Sequence, residues 1–286
     1  ITIKPKNGEF VSDFDKSSIL SNLKSYSLAG INQKILDLKL LYVELESFVY
    51  YNPSKVSTVS ELKTKVINGL TTYGSSTDIN KFGGRFKYSK ILNVIDNIDD
   101  AITSNITRVR IRRNLKALVN QFAQYELCFG NRFNINTAGF NIKSTGFTIQ
   151  GNTQTAFLTD VPNKDGFGNL DGSMKGTLSV VTKNDKMQQV VLMKDAGIVD
   201  YKKGEIILNT INITSTTTQN NIIEIQAFPE SNDVVGLKDL YLNFDVSKST
   251  INMFKDVIAS GEDVSGVVFT RDYYTSSYSN GDLERK

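Results

Sequence analysis

Two pairs of closely spaced carboxylates are the residues whose spacing comes nearest to acid–base chemistry. They are Asp13 with Asp15 and Glu44 with Glu46. Hydrolysis of a glycosidic bond needs two carboxyl groups, one on each side of the bond. Nothing around either pair indicates a cleft that keeps one acid neutral, and Glu44 and Glu46 alternate with apolar residues as on the solvated face of a strand. We therefore predict no catalytic residues.

The absence of histidine from a chain of 286 residues excludes several classes of site. Imidazole is the usual general base at neutral pH and the commonest transition-metal ligand. Ser-His and Cys-His nucleophiles and ordinary zinc sites are therefore excluded. The sequence has no GxxxxGK[ST] phosphate loop, and the single cysteine, Cys128, excludes an intrachain disulfide framework. We predict a protein that is not an enzyme and needs no cofactor.

A glycine-rich connector at residues 160–176 is the best candidate for a metal site. It contains the oxygen-bearing residues Asp160, Asp165, Asn169 and Asp171, followed by Gly172. An EF-hand loop has Gly at its sixth position, an oxygen ligand at its first and Glu at its twelfth. Placing Gly172 sixth puts Phe167 first and Leu178 twelfth, so the pattern fails at both ends. We predict solvated turns and no metal.

The arginines Arg108, Arg110 and Arg112 alternate with Val109 and Ile111, which predicts a half-buried strand with one basic face. This face has three interpretations: a solvated surface, the rim of a protein interface, or a phosphate-binding surface. The net charge of +3 disfavours the third. The tyrosines of the tail could pack on a partner or fray. The predicted interface residues are Arg108, Arg110, Arg112, Tyr273, Tyr274 and Tyr278.

Hydrophobic periodicity predicts the elements that position these residues. Residues 85–113 read as a helix capped by Ser89, followed by a strand in which Ile106 is apolar like Val109 and Ile111. A helix starting at Thr58 carries an apolar stripe and ends at Gly74. Asp15 is expected to cap an earlier helix whose apolar side, which includes Tyr26, points inward. An alternation that changes phase at 40–41 predicts a bulge there, or two strands joined at that point.

Residues 177–182 and 187–192 predict a hairpin around Asn184-Asp185, and residues 197–213 predict two strands joined by a turn at Gly204. Residues 251–258 are undecided between helix and strand.

The fold class predicted from these elements is α+β, with two domains. Residues 1–113 form a small mixed α/β sandwich, and residues 114–286 form a mainly antiparallel β domain. A hinge is expected at 113–116. No apolar run is long enough to span a bilayer. Because the chain begins at Ile1 and shows no signal-peptide pattern, we interpret it as part of a longer protein.

Several segments also carry a family resemblance. The longest is FKYSKILNVIDNIDDAITSNITRVRIRR at residues 86–113, and the others are ITIKPKNG, GIVDYKKGEIIL, SNDVVGLKDLYL and TSSYSNG. In this order they resemble the C-terminal part of the baseplate wedge proteins (gene product six) of T-even contractile-tailed phages, within the wider baseplate J-like group. The resemblance covers most of the chain.

The resemblance implies a structural role in the virion. Such proteins form a ring of wedges around the hub of the tail baseplate, associate through two-fold dimer contacts, and rearrange when the sheath contracts. The implied partners are further copies of the chain and other wedge and hub proteins, with no nucleic acid or membrane, after assembly in the host cytoplasm. The alternative is a carbohydrate-binding or carboxylate-based glycan-hydrolysing tail module, suggested by the β-rich second half and its Tyr residues and Asn-rich turns.

Overall fold

The computed structural model describes residues 1–4, 11–28, 30–36, 38–184, 186, 188–237 and 239–256, together with the backbone of 278–279 and 282–283. The helices in this part of the chain are α1 (Asp13–Lys24), α2 (Val59–Gly74) and α3 (Tyr88–Asp96), with short 3-10 turns at Pro53–Lys55 and Gln219–Asn221. No helix among the described residues is both long and apolar enough to cross a membrane; α2, the longest, has 16 residues.

The strands, which outnumber the helices, are β1 (Lys39–Tyr51), β2 (Arg85–Phe86), β3 (Ile102–Lys116), β4 (Phe122–Cys128), β5 (Lys143–Ser144), β6 (Phe147–Ile149), β7 (Asn152–Pro162), β8 (Lys175–Lys183), β9 (Gln189–Asp200), β10 (Glu205–Thr216), β11 (Ile222–Ala227), β12 (Val234–Val235), β13 (Leu240–Phe244), β14 (Thr250–Lys255), β15 (Tyr278–Ser279) and β16 (Asp282–Leu283). This content agrees with an α+β chain dominated by β-structure.

The first large sheet has the order β13-β1-β3-β11-β5, and β14 continues the edge formed by β13. Strand β1 pairs antiparallel with β3 and parallel with both β13 and β14. One face of β1 packs Leu41, Val43 and Leu45 into the main core, which also contains the buried side of α2 and α3. The helices therefore cover one face of this sheet. On its other face Leu40 and Tyr42 are buried near the start of β1, whereas Phe48 and Tyr50 further along the strand are only partly buried.

The second large sheet has the order β4-β10-β6-β7-β8-β9, and β10 also pairs with β9. The pairings from β10 through β6, β7, β8 and β9 therefore return to β10 in a closed ring. Strands β8 and β9 form the hairpin predicted around Asn184, and β9 and β10 form the pair predicted around Gly204. Gly204 has φ +68°, and a Cβ there would lie 1.9 Å from the carbonyl oxygen of Asn131, so only glycine fits this turn.

The bulge predicted at 40–41 is wrong. Strand β1 continues through these residues, and its register shifts only between Tyr50 and Tyr51. The phase of the pattern changes because both faces are buried near the start of the strand. Leu40 belongs to a second apolar cluster, with Leu38, Tyr42 and Tyr241, whereas Leu41 belongs to the main core. Central strands buried on both faces lose the apolar/polar alternation.

Helix α2 is confirmed, with Leu62, Val66, Leu70 and Tyr73 buried along one face, although Thr58 makes no side-chain cap hydrogen bond. The predicted cap of α3 is wrong. The N-cap residue is Lys87, and the amide of Tyr88 donates to the carboxylate of Asp233 at 2.8 Å. The partner lies 145 residues further along the chain, so local spacing could not identify it.

Helix α1 differs most from the expectation. Its N-cap is Ser12, not Asp15, and the carboxylate of Asp15 instead accepts a hydrogen bond from the Ser12 hydroxyl at 2.6 Å. None of its residues is fully buried. Tyr26, which was expected to point inward, lies beyond the helix and is 87% exposed. The apolar residues near α1 therefore do not anchor it in the main core.

The predicted division at residue 113 falls within strand β3, which runs from Ile102 to Lys116. Residues 111–116 of β3 pair with β11, so the expected hinge at 113–116 is a paired strand and not a linker. The buried apolar cluster also extends without interruption from β1 and β3 into the second sheet, where it includes Leu208 of β10. The two-domain division stays a prediction.

Candidate interaction surface

The face of the first sheet that the helices leave uncovered carries a group of large apolar side chains. They are Phe48 and Tyr50 on β1, Ile106 on β3 and Phe254 on β14, here called the aromatic patch. The ring of Phe254 lies 6.0 Å from that of Phe48 and 5.8 Å from that of Tyr50, between centroids. Ile106 is 55% exposed and Phe254 is 45% exposed. Apolar side chains that are gathered on one face and exposed to this degree indicate a contact surface.

The register between β1 and β3 creates the aromatic patch. Phe48 pairs with Ile106 and with Asn252 of β14, and Tyr50 pairs with Phe254. Residues two apart along a strand share a face, so Ile106 faces the same side as Arg108. Val109 and Ile111 face the core instead. The interpretation that grouped Ile106 with Val109 and Ile111 is therefore wrong.

The three alternating arginines lie on the same face as the aromatic patch but in three different environments. Arg108, opposite Glu46 in the register, is exposed at the border of the aromatic patch. Arg110 is partly buried; its guanidinium lies 2.6 Å from Glu46 and 5.5 Å from the ring centroid of Phe228. Arg112 is only 3% exposed. Of the three, Arg108 is the one whose side chain is exposed.

Arg112 is the centre of a buried ionic cluster that joins four segments of the chain. Its guanidinium donates to Glu44 on β1, to Asp245 after β13 at 2.6 Å, and to Glu224 on β11 at 3.5 Å. The side-chain amide of Gln226 donates to the same Glu44 carboxylate. The Tyr42 ring lies 4.0 Å from the guanidinium carbon. The spacing that indicated a basic surface thus places one arginine in an internal cross-link.

Burial and charge act in opposite directions on the two neighbouring arginines. Burial by itself lowers the pKa of Arg112, but hydrogen bonding and attraction to Glu44, with the charges of Glu224 and Asp245, raise that pKa overall. The pKa of Arg113 is lowered, chiefly by burial. Its guanidinium donates to the carbonyl oxygen of Cys128 at 2.6 Å. Both side chains therefore hold segments of the fold together.

The carboxylates that were considered for hydrolysis serve structural contacts. Glu44 is 2% exposed and bonded to Arg112 and Gln226, and Glu46 forms an ion pair with Arg110. Asp13 pairs with Lys16 on the surface of α1 at 3.2 Å. A general acid must be kept neutral beside its partner, and here Glu44 and Glu46 each have an arginine as counter-ion.

The connector residues make turns within the chain. The carboxylate of Asp165 accepts hydrogen bonds from the amides of Phe167 and Asn169, both at 2.9 Å, and that of Asp171 accepts from the amide and hydroxyl of Ser173. Asp160 lies in strand β7 and is fully buried. Within the described residues no group of His, Cys, Asp or Glu could hold a metal ion.

Within the described residues, no contact joins the tail tyrosines to the aromatic patch. Tyr273 and Tyr274 lie outside the described residues. Tyr278 is in strand β15, which pairs with β16, and only its backbone is described. Sequence reasoning missed Phe254 as an exposed residue and Phe48 as the partly buried ring beside it. Phe254 was in a segment of undecided type, and the parallel pairing that brings it beside Phe48 joins residues about two hundred positions apart.

Comparisons with known proteins match the part of the chain that builds this face. Residues 39–114 match the family described as baseplate structural protein gp6, C-terminal domain III. These residues include β1, α2, β2, α3 and nearly all of β3.

A curated relative is similar over a longer stretch. It is the baseplate wedge protein gp6 of Enterobacteria phage T4, with 25% identity over 117 residues, which is 41% of this chain and 18% of the relative. The match thus spans less than a fifth of the relative's length. Residues 39–114 are therefore similar to C-terminal domain III of gp6-like baseplate proteins, and the chain shares a stretch of 117 residues with a baseplate wedge protein of this kind.

Proposed function

We propose that this chain is a structural component of a phage tail baseplate wedge, located in the virion tail, which associates with another copy of itself through the aromatic patch. The observation that carries the proposal is the position of the aromatic patch. Three of its four residues, Phe48, Tyr50 and Ile106, belong to the segment that matches the baseplate family. A face that is apolar, bordered by Arg108 and opposite to the one that α2 and α3 cover has the composition of a protein interface.

A two-fold contact through this face suits the proposed assembly. A two-fold axis uses the same patch on both copies, so an aromatic cluster meets an identical aromatic cluster. Further contacts with other wedge and hub proteins would close the ring around the hub. When the sheath contracts, packed units move as rigid bodies about their contacts, because packed cores do not deform continuously.

The association is tested with the purified chain by light scattering at micromolar concentration. We expect a dimer for the wild-type chain and a monomer for the double variant Phe48→Asp, Phe254→Asp, since two carboxylates at an apolar contact are desolvated without partners. Phe167→Asp is the matched control, because Phe167 is 94% exposed in the connector, away from the aromatic patch. The control should remain a dimer.

Two results would contradict this proposal. A wild-type chain that stays monomeric and binds no wedge protein would exclude the association itself. A double variant that still dimerises would exclude the aromatic patch as the contact. In that case deletion of residues 271–286 tests the second prediction, that the Tyr-rich tail carries the association, and the deletion should then give a monomer.

The glycan-directed alternative has less support. It calls for a cleft lined by aromatic side chains with two facing carboxylates. The aromatic patch lies on an open sheet face, and the acids of β1 on that face, Glu44 and Glu46, are held by Arg112 and Arg110. An oligosaccharide-binding assay tests it directly, and saturable binding would favour the alternative.

A further inference from the structure

A groove between the edge strand β5 of the first sheet and strands β7 and β8 of the second has features that the proposed function does not use. Its volume is about 430 Å³, within the range of about 300–1,000 Å³ typical of ligand sites. Its floor contains the buried residues Ile142, Leu158 and Val181, of which Ile142 and Leu158 belong to the main core. Phe140 and Phe157 stand at its sides. The floor and walls are therefore mainly apolar.

One wall of the groove is held in a strained conformation. Phe140 has φ +67°, which is rarely adopted by a bulky aromatic residue, and its ring is 48% exposed. The preceding Gly139 has φ +80°, and a Cβ there would lie 2.4 Å from the carbonyl oxygen of Asp160. Strain of this kind persists only where the surrounding structure enforces it, and it is common at ligand-binding positions.

Asp160, which is fully buried, holds this segment through both its side chain and its backbone. One carboxylate oxygen accepts the amide of Ile142 at 2.6 Å, and the other accepts the hydroxyl of Tyr201 at 2.6 Å. The amide of Phe140 donates to the carbonyl oxygen of Asp160 at 3.2 Å. Asp160 thus positions the groove wall on both sides of Asn141, and the exposed Phe140 ring is placed by buried contacts.

The charged residues that line the groove have one sign. Lys143 and Lys183 line it, and among the residues that the structure describes no Asp or Glu does. Neither lysine forms an ion pair with any residue that the structure describes, and both are exposed. The ammonium group of Lys183 lies 5.8 Å from the ring centroid of Phe157. Two uncompensated cations beside an apolar floor complement a ligand that has both apolar and acidic groups.

We propose that this groove binds an extended peptide segment of a partner protein, in which an apolar side chain packs between Phe140 and Phe157 and flanking carboxylates pair with Lys143 and Lys183. A nucleic acid fits less well, because its electrostatic footprint is a larger cluster of Lys and Arg than two lysines. The groove is lined by residues of β5, β7 and β8, whereas the aromatic patch lies on β1, β3 and β14. Its test therefore does not depend on the proposed dimer.

The experiment selects binders from a displayed library of randomised peptides, with the full chain as the target. We expect enriched peptides with Leu, Ile or Phe flanked by Asp or Glu, and binding that weakens as salt is added, because exposed charges are screened. The double variant Lys143→Glu, Lys183→Glu should weaken binding of the enriched peptides at least about tenfold, which corresponds to about 1.4 kcal/mol. Lys63→Glu with Lys202→Glu, the same charge change elsewhere, should leave it unchanged.

A second variant separates binding from folding. Phe140→Gly removes the ring and relieves the positive φ, so the melting temperature should stay the same or rise while peptide binding falls at least about tenfold. Three results would overturn the proposal: no enrichment of acidic–apolar peptides, equal binding by the groove variants and the wild type, or displacement of the peptides by an oligothymidylate. The last result would assign the groove to nucleic acid.

Discussion

Arg112 shows how one residue can join distant parts of this chain. It contacts Glu44, Glu224 and Asp245, which lie on or beside three different strands. A buried ion pair gives little net stability compared with apolar packing, but loss of one partner leaves an uncompensated buried charge. We expect Arg112→Met to lower the free energy of unfolding by about 3–5 kcal/mol, measured by chemical denaturation.

Two controls accompany this variant: loss of a different ion pair, and a double variant that also removes the acid left without its partner. Lys65→Ala removes a partly exposed pair with Asp99 and should lower the free energy of unfolding far less than Arg112→Met does. The double variant Arg112→Met, Glu44→Leu should recover part of the loss, because it removes the stranded carboxylate. A cost of Arg112→Met no larger than that of Lys65→Ala would show that the ionic cluster does not hold the strands.

One contribution to the pH dependence of folding stability comes from Asp99. The hydrogen bond from Lys65 holds the pKa of Asp99 below its ordinary value of 3.8, with help from the amide of Ala101. The folded state therefore binds a proton at Asp99 less readily than the unfolded state does. The stabilisation is present above about pH 4 and is lost as the pH falls through the lowered pKa. Asp99→Asn should lose less stability on acidification than the wild type, measured as melting temperature against pH.

At the scale of elements, helix α2 and helix α1 should respond differently to the same substitution. Leu70 on α2 is fully buried, whereas α1 has no fully buried residue and Leu23 is only partly covered. Leu70→Ala should lower the free energy of unfolding by about 3 kcal/mol, because it removes buried methyl groups and leaves a cavity. Leu23→Ala should cost less than about 1 kcal/mol. Equal costs would mean that α1 is packed more tightly than its exposure indicates.

The elements that were predicted correctly are those whose sequence pattern is local, with all of its residues close together in the chain. Helix α2 has a stripe of period 3.6, and the β8–β9 hairpin has a turn between two apolar runs, so local pattern was sufficient. The errors arise from distant partners. Tyr241 buries the second face of β1 at Leu40, and Asp233 receives the amide that starts α3. These contacts cannot be predicted from the spacing of residues within one segment.

The same limit applies to the candidate surfaces. The alternation of Arg108, Arg110 and Arg112 correctly predicts a strand with the three arginines on one face, and the register places Arg108 beside the aromatic patch. It does not predict that Arg112 is buried, because the acids that surround it come from β1, β11 and the segment after β13. Phe254 joins the aromatic patch through a parallel pairing, and parallel partners are far apart in sequence.

At the scale of the whole molecule, the order in which the strands of the first sheet follow one another in the chain determines whether a fragment can fold. Strands β1 and β3 lie in residues 1–113 for most of their length, but their outer neighbours β11, β13 and β14 come from after residue 221. A fragment of residues 1–113 would leave both edges of the β1–β3 pair open and would expose Val43 and Ile111 to solvent on one side. Unpaired edges with apolar faces promote aggregation.

We therefore expect the fragment 1–113 to be unfolded or aggregated, while the full chain folds. Far-ultraviolet circular dichroism and thermal unfolding of both, at the same concentration, provide the measurement. Adding a separate 114–286 fragment should restore part of the signal, because it supplies the missing strands β11, β13 and β14. If 1–113 instead unfolds cooperatively by itself, then the two-domain division is correct. The continuous core between the two sheets would then be an interface between independently stable units.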